Sequence, residues 1–582
     1  MTVPAPPNHA RRWDDILLAA LLVALAATLL LIRRQAMTGD EPRYILYAAS
    51  LLRHGSFQMP AAEWSALHQL ANGVPSADLP RGAGGAVVMN PVYLPALLSP
   101  LSLLSPLHAP RLVTLLAGLA GLFTLHRLCR LAAGPRPALL ATALAAFSIP
   151  LLPYLHLFYM ETFVFALVCL GWWRVQRAGE NLRADLLTAA ILAVIPIVHM
   201  RGSVVAAALY AFLLWPALRA WDLRRSALLV LSGILGLALL VTLNLAVYGA
   251  VTGPVNTARP PLPWAWTEVL PMQLFNIRHG LLAYAPVWVL GYAGLAAAAW
   301  RGSPAARQGL VLALLAALTG VGVNPGEGWP ARFWVLSVPM LTLGLSFWIA
   351  RERGLVMRIP GAVLAAITLL NTGLFLADPN AFLENRQSTM TYQLLFDRGL
   401  PFHFGLLLPV ELDDPAQRAT VARLMLGFGL LFLLGLGAAL RPGWRWALPM
   451  VLVLAAGLDL ARARALPADA FTLRIAEGTA RVELAAPQRL TALQFGRGWE
   501  TWAYETRPLL ALDSLRADGS TARLQLIANQ LIPLRCLGNL RAVTLSSPTG
   551  FDIPAQAGFR LRLYRSASWL ERQATRNGVG CG

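Results

Sequence analysis

The chain has 582 residues, 57% of them apolar and only 13% charged, with a formal net charge of +19. A soluble domain carries about a quarter charged residues, so a chain with a mean hydropathy of +0.57 cannot clothe a water-facing surface of this size. A soluble enzyme, a disordered chain and a fibrous repeat are excluded. The apolar residues fall into blocks of about 17–25, the length that crosses a bilayer, which leaves an all-α polytopic membrane bundle.

All 48 basic residues are arginine. They gather in short connectors between apolar blocks, as the positive-inside rule describes. They do not form the basic face that marks a nucleic-acid binder, so no nucleic-acid partner is expected. Cys129 and Cys169 lie in or beside apolar blocks, whereas Cys536 and Cys581 lie in a polar C-terminal segment. No CxxC or Cys/His metal spacing occurs. In an oxidising compartment the last two are available for a disulfide.

In chain order, Arg11 and Arg12 precede a first apolar block at 16–32. It lacks a small-residue cleavage pattern and reads as a retained anchor. A long outer loop, 33–110, follows. It closes with an apolar stretch at 91–107 broken by Pro95, Pro100 and Pro106. Further spans are expected near 112–131, 138–155, 159–173, 186–199, 204–218, 228–248, 281–300, 310–323, 333–349, 359–377, 421–440 and 446–460. The total is about 13 with the proline-broken stretch set aside. Arginine clusters at 127–136, 174–183, 219–225, 301–307, 351–358 and 441–445 mark the cytoplasmic connectors, and the alternate ones are poorer in arginine. Arg33 and Arg34 go against that pattern and are outvoted. The N-terminus is then cytoplasmic and the C-terminus extracytoplasmic. From residue 466 the pattern changes to period-two alternation, as in Phe471-Thr-Leu-Arg-Ile475, Ala480-Arg-Val-Glu-Leu484 and Phe559-Arg-Leu-Arg-Leu-Tyr564. This predicts strands. The chain therefore divides into a membrane domain, 1–465, and a small β-rich extracytoplasmic domain, 466–582.

The outer loop begins Gly39-Asp-Glu-Pro-Arg-Tyr-Ile-Leu-Tyr-Ala-Ala-Ser-Leu-Leu-Arg-His-Gly55. Positions 44, 45, 47, 48, 51 and 52 form an apolar stripe at helical spacing, with Gly55 as a C-terminal stop. The stripe predicts a short amphipathic helix lying in the interface. Asp40 and Glu41 stand at its start. Acids there serve as caps or as catalytic carboxylates, and only one of two neighbours can cap.

This segment resembles the first-loop motif of GT-C membrane glycosyltransferases. It is most similar to the bacterial relatives of protein O-mannosyltransferases and of the lipid A aminoarabinose transferase. The resemblance implies a bacterial inner-membrane enzyme that uses a polyprenyl-phosphate-linked sugar, with a first-loop acid at the active site. That points to Asp40, with Glu41 as its neighbour. Some relatives hold a divalent metal between acids, which would place Asp40 and Glu161 as ligands; others need none.

Other outer-face residues fit such a site. An acid near hydrocarbon is costly and by default faces the bundle interior, which makes Glu161 a substrate-binding candidate together with Tyr44 and Arg278. Guanidinium binds phosphate bidentately, so Arg201 and Arg332, with His199, are candidates for the donor phosphate. Each has an ordinary alternative: a buried-arginine partner for Glu161, a snorkelling side chain for Arg201, a turn with an aromatic anchor around Arg332. The expected function is inverting transfer of a hexosyl or pentosyl unit to a lipid, glycan or protein acceptor. The alternative is a lipid or polysaccharide transporter or flippase.

Overall fold

The computed structural model describes residues 8–31, 37, 39–72, 75, 90–251, 253, 270–275, 280–321, 331–351, 355–377, 379, 464–476, 479–495, 509–527, 531–534, 537–546 and 561–566. The chain forms two compact units, one of residues 1–270 with 284–380, the other of 271–283 with 381–582.

The first unit is helical. Its elements are α1 (Asn8–Leu31), α2 (Glu41–His54), α3 (Ala61–Asn72), α4 (Tyr93–Leu98), α5 (His108–Ala133), α6 (Pro135–Ala146), α7 (Leu151–Tyr154), α8 (Met160–Val175), α9 (Leu182–Val198), α10 (Ser203–Arg219) and α11 (Leu223–Tyr248). The short α12 (Leu270–Phe275) and α13 (Leu281–Tyr284) fall almost wholly within 271–283 of the second unit, and the first unit resumes with α14 (Trp288–Trp300), α15 (Pro304–Val321), α16 (Val338–Arg351) and α17 (Leu355–Ala377). Among the described residues, five stretches are long and apolar enough to cross a membrane: Trp13–Leu31, His108–Ala133, Met200–Arg219, Leu223–Tyr248 and Arg332–Arg351. The fold is thus the polytopic α-bundle that hydropathy predicts.

Prolines account for the differences in detail. The stretch at 91–107 is broken as expected, into α4 and a 3₁₀ segment, Ser99–Leu103. The block at 138–155 is not one span. The helix stops at Ala146, and Pro150 and Pro153 admit only the single turn of α7. The block at 281–300 is likewise interrupted around Pro286. The expected spans at 421–440 and 446–460 lie outside the described residues, as do Cys536 and Cys581.

α2 differs in setting. Its apolar stripe predicts an interfacial helix, yet Glu41 and every residue from Tyr44 to Ser50 are buried. Protein packs around the first half of the helix on all sides. Its C-terminal end is as predicted: Gly55 takes φ 62° and its N–H bonds Leu51 O, a conformation that favours glycine.

α14 and α16 pack backbone to backbone. A Cβ built on Gly294 would lie 1.9 Å from the Gly344 carbonyl oxygen, and one on Gly344 1.9 Å from that of Gly291. Small residues allow this approach, which lipid-immersed helices use in place of a hydrophobic drive.

In the second unit all strand pairs are antiparallel. One sheet has the order β1-β9-β4-β7 and the other β2-β3-β8-β5-β6. The strands are β1 (Arg464–Ala465), β2 (Phe471–Ala476), β3 (Thr479–Arg489), β4 (Ala492–Phe495), β5 (Leu509–Arg516), β6 (Thr521–Ile527), β7 (Leu531–Pro533), β8 (Asn539–Ser546) and β9 (Leu561–Ser566). Val482, Leu512 and Val543 from one sheet meet Leu493 and Leu563 from the other in a single apolar cluster. The period-two alternation seen in the sequence is the inward face of these strands. β3 loses register against β8 between Glu483 and Gln488. Pro487 sits there, without an N–H to give to a ladder.

The glycine contact yields a prediction. Gly294→Val would force α14 off α16, because the clashing atoms are backbone and cannot rotate away. Overpacking typically costs about 1–3 kcal/mol, and this site should reach or exceed that range. The unfolding midpoint in detergent should fall clearly, and an unchanged midpoint would reject the close packing.

Candidate active site

Four segments far apart in sequence bring charged side chains together. Gly39 takes φ 59°, a left-handed turn that a side chain would strain, and it delivers Asp40 to the start of α2. Asp40 occupies the cap position but makes no side-chain cap bond. Its carboxylate accepts instead from Arg332 Nη2 and, at 3.3 Å, from Arg43 Nη1. Of the two readings of this acid, capping is therefore the one the geometry discards.

Arg332 opens the 3₁₀ segment Arg332–Ser337 that leads into α16. Its Nε donates to Glu161 Oε1 at 2.7 Å, and its guanidinium lies 4.6 Å above the Tyr159 ring. Glu161 is in the first turn of α8. Beyond it Arg201 Nη1 stands 3.8 Å from Glu161 Oε1, while the Arg201 guanidinium stacks 3.7 Å over Phe333. His199, at the end of α9, accepts the Arg201 backbone N–H through Nδ1 at 3.1 Å. The result is an alternating chain, Arg43–Asp40–Arg332–Glu161–Arg201. Three guanidiniums against two carboxylates leave one positive charge in excess.

Exposure is graded along this chain. Arg332 and Glu161 side chains are each 8% exposed and Asp40 24%. Burial alone would raise the Asp40 pKa, but the charge and hydrogen bond of Arg332 outweigh it, helped by Asn90 and Arg43, and hold the carboxyl at about 2. In this state Asp40 is an ionised, reachable, but weak base.

Glu41, predicted beside Asp40 as a catalytic acid, points elsewhere. Successive helical residues diverge by about 100°, and Glu41 is fully buried. Arg111 grips it with two bonds of 2.8 Å, Nε to Oε1 and Nη2 to Oε2, and the Phe158 N–H donates to Oε1 at 2.9 Å. It ties α2 to α5 and to the strand-like turn before α8. Tyr44, predicted as substrate-binding, is also fully buried. It packs edge-on against Phe158 and Tyr159, and its hydroxyl bonds Asn90 beside Asp40. Arg278 lies outside the described residues.

Arg111, Arg43, Asn90, Tyr159 and Phe333 escaped the sequence reading. Arg111 carried a usable signal: a lone arginine at the arginine-poor end of a span, against the positive-inside pattern. Asn90 carried none.

The acids do not fit a divalent metal as arranged. The position between Asp40 and Glu161 is filled by the Arg332 guanidinium, and among the described residues no three His, Cys, Asp or Glu side chains come together as a ligand set.

No protein-family model and no curated protein matches this sequence. Solved structures do. The chain is similar to ArnT of Cupriavidus metallidurans bound to undecaprenyl phosphate, at 16% identity and TM-score 0.41, with 77% of this chain and 75% of that one covered. The same protein in its apo state gives 16% identity and TM-score 0.38, covering 78% and 75%. The Archaeoglobus fulgidus oligosaccharyltransferase in its apo form gives 13% and 0.39, covering 67% and 58%. Both neighbours belong to the GT-C superfamily to which the first-loop motif is similar.

Two substitutions separate the neighbouring acids. Glu41→Gln strands a buried Arg111, a loss of about 3–5 kcal/mol for one half of a buried pair. Asp40→Asn, at a part-exposed site with Arg332 still held by Glu161, should move stability little. Denaturant unfolding in detergent checks both, and comparable losses would reject the division of roles.

Proposed function

We propose that this chain is a glycosyltransferase that moves a sugar from a polyprenyl-phosphate donor to an envelope acceptor at the extracytoplasmic face of a bacterial inner membrane. The observation that carries the reading is Arg332 held between two carboxylates, one of them reachable. A phosphate clamp and a proton acceptor are thereby within one guanidinium of each other.

The acceptor's hydroxyl or amine attacks the anomeric carbon, the bond from that carbon to the phosphate oxygen breaks, and the configuration inverts. Asp40 takes the acceptor's proton. The leaving phosphate needs little acid help, and Arg332 offsets the charge that develops on it. Arg201 adds positive charge from beyond Glu161. The starts of α8, α10 and the Arg332 segment all lie at the site, and helix N-termini favour an anion.

Arg332 cannot serve phosphate and Asp40 fully at once. Arrival of the phosphate draws the guanidinium away from Asp40 and adds a negative neighbour, and both changes restore basicity to the carboxylate. The base is therefore armed by the donor.

The arginine-bearing ends of these helices, at Arg174, Arg219 and Arg351, lie at their far termini from the site. This supports an extracytoplasmic site with the N-terminus inside and the C-terminal domain outside. The transferred unit in this reading is a hexosyl or pentosyl group, and the acceptor a lipid, glycan or protein.

Asp40→Asn should cut release of polyprenyl phosphate from a labelled donor by about 10²–10⁴-fold. Donor binding should be kept or tightened, because Arg332 loses a competitor. Full turnover would reject the base, and a wild-type protein that binds donor without ever releasing polyprenyl phosphate would favour a transporter.

The pH profile follows in sign. In the free protein Asp40 stays ionised down to about pH 2, so kcat/KM gains no acid limb from it in the usual range. With donor bound its pKa moves back toward the ordinary value near 4. Acidification should then lower kcat, which reports the complex, before it lowers kcat/KM. Coincident acid limbs would exclude the arming step.

A further inference from the structure

The scheme above leaves one cavity unused. It has a volume of about 250 Å³ and lies between α14 and α16, at the ends of these helices remote from the charged cluster. The two helices run parallel: Gly291 packs against Leu341, and Gly294, one turn on, against Gly344 and Trp348. Both therefore end on the same side, α14 just before Arg301 and α16 at Arg351. These two arginines line the cavity, together with small residues of α14 such as Ala297 and Ala298 and the aromatic rings of Phe347 and Trp348, and no acidic residue lines it. The carbonyls at the end of α14 are already served. Ala298 O accepts from the Ser303 N–H at 3.0 Å, and Ala299 O from the Gly302 N–H at 3.0 Å and from Arg307 Nε at 3.3 Å. The Arg301 side chain is exposed and takes no part in that cap.

Two guanidiniums on a lining without an acid select an anion, and guanidinium suits phosphate oxygens. The rest of the lining is glycine, alanine and aromatic, which suits hydrocarbon and not a free ion. Trp300, 88% exposed, and Trp348 mark this level as the one where aromatic belts meet lipid headgroups. Basic pockets between membrane helices take anionic headgroups. We propose that this cavity binds an anionic phospholipid of the leaflet opposite the Asp40–Arg332 cluster. Its phosphodiester lies against Arg301 and Arg351, and its glycerol and upper acyl carbons lie against the apolar lining. The bound lipid bridges the ends of α14 and α16 beyond the Gly294–Gly344 contact, whichever reaction the opposite end performs.

The test uses the full chain in detergent. Binding of phosphatidylglycerol is measured against that of phosphatidylcholine, which carries the same phosphodiester without net charge. Phosphatidylglycerol should bind about tenfold or more tighter, as two arginines beside an anionic headgroup imply. Arg301→Gln combined with Arg351→Gln should remove most of that preference. Arg219→Gln combined with Arg224→Gln takes away two exposed arginines that do not line the cavity, and it should leave the preference in place. Ala350→Phe, at an exposed position of the lining, fills the cavity without touching a charge. It should weaken phosphatidylglycerol binding as well, and it decides the matter where the arginine variant does not fold. Inorganic phosphate should not displace the lipid. The proposal is overturned by a wild type without preference, by equal losses in the two arginine pairs, by an unchanged preference in the folded cavity variants, or by full displacement with inorganic phosphate.

Discussion

The site depends on one guanidinium placed between two carboxylates. Arg332 bonds Asp40 on one side and Glu161 on the other, and those three residues come from the first loop, the start of α8 and the start of α16. A buried ion pair seldom stabilises a fold by itself, because desolvation consumes most of the Coulomb gain. Removing one partner, however, strands the other. The buried half of the arrangement, Arg332 with Glu161, therefore fixes the start of α8 against the segment before α16, and Asp40 joins it from the more exposed side. Charges held this way at a membrane boundary are expensive, which is the reason to read them as functional.

The first-loop acids show how adjacent residues of one type take opposite tasks. Asp40 stands just ahead of the helix and stays in reach of solvent. Glu41, one position on, turns into the protein and meets Arg111 and the Phe158 N–H. The buried acid fixes where α2 sits against α5 and the turn before α8. Through that turn it also sets the position of Glu161. The placement of Asp40 is thus anchored by a neighbour that is itself fully buried. The glycine contact between α14 and α16 plays a comparable part, holding the helix that Arg332 precedes.

Much of this was legible in the sequence for identifiable physical reasons. Hydropathy blocks predict helices because lipid leaves the backbone few other ways to bond, and period-two alternation predicts β2, β3 and β9. Glu161 stands out because an acid at the end of an apolar block is costly, Arg201 and Arg332 because guanidinium suits phosphate, and Asp40 through the likeness of its loop to a known motif. Two things were hidden. Helix burial depends on what surrounds the helix, so α2 reads as interfacial from its own stripe and is buried by its neighbours. Which of two adjacent acids faces the site depends on the entry angle of the chain at Gly39, and no spacing rule supplies that angle. Asn90 illustrates the same limit, because an asparagine beside a proline in a polar loop has nothing to mark it until the fold brings it against Asp40.

The distribution of arginine along α8, α10 and α16 has an evolutionary consequence. Insertion machinery reads the basic ends of these helices to decide which way round they enter the bilayer, while the charged cluster of Asp40, Glu161, Arg201 and Arg332 gathers at their opposite ends. Polarity and the proposed chemistry are therefore written at the two extremities of the same helices. A lineage that gains arginines around the site to hold a more anionic substrate also weakens the asymmetry that orients the protein. The repertoire of charges open to this pocket is bounded by biogenesis as well as by binding.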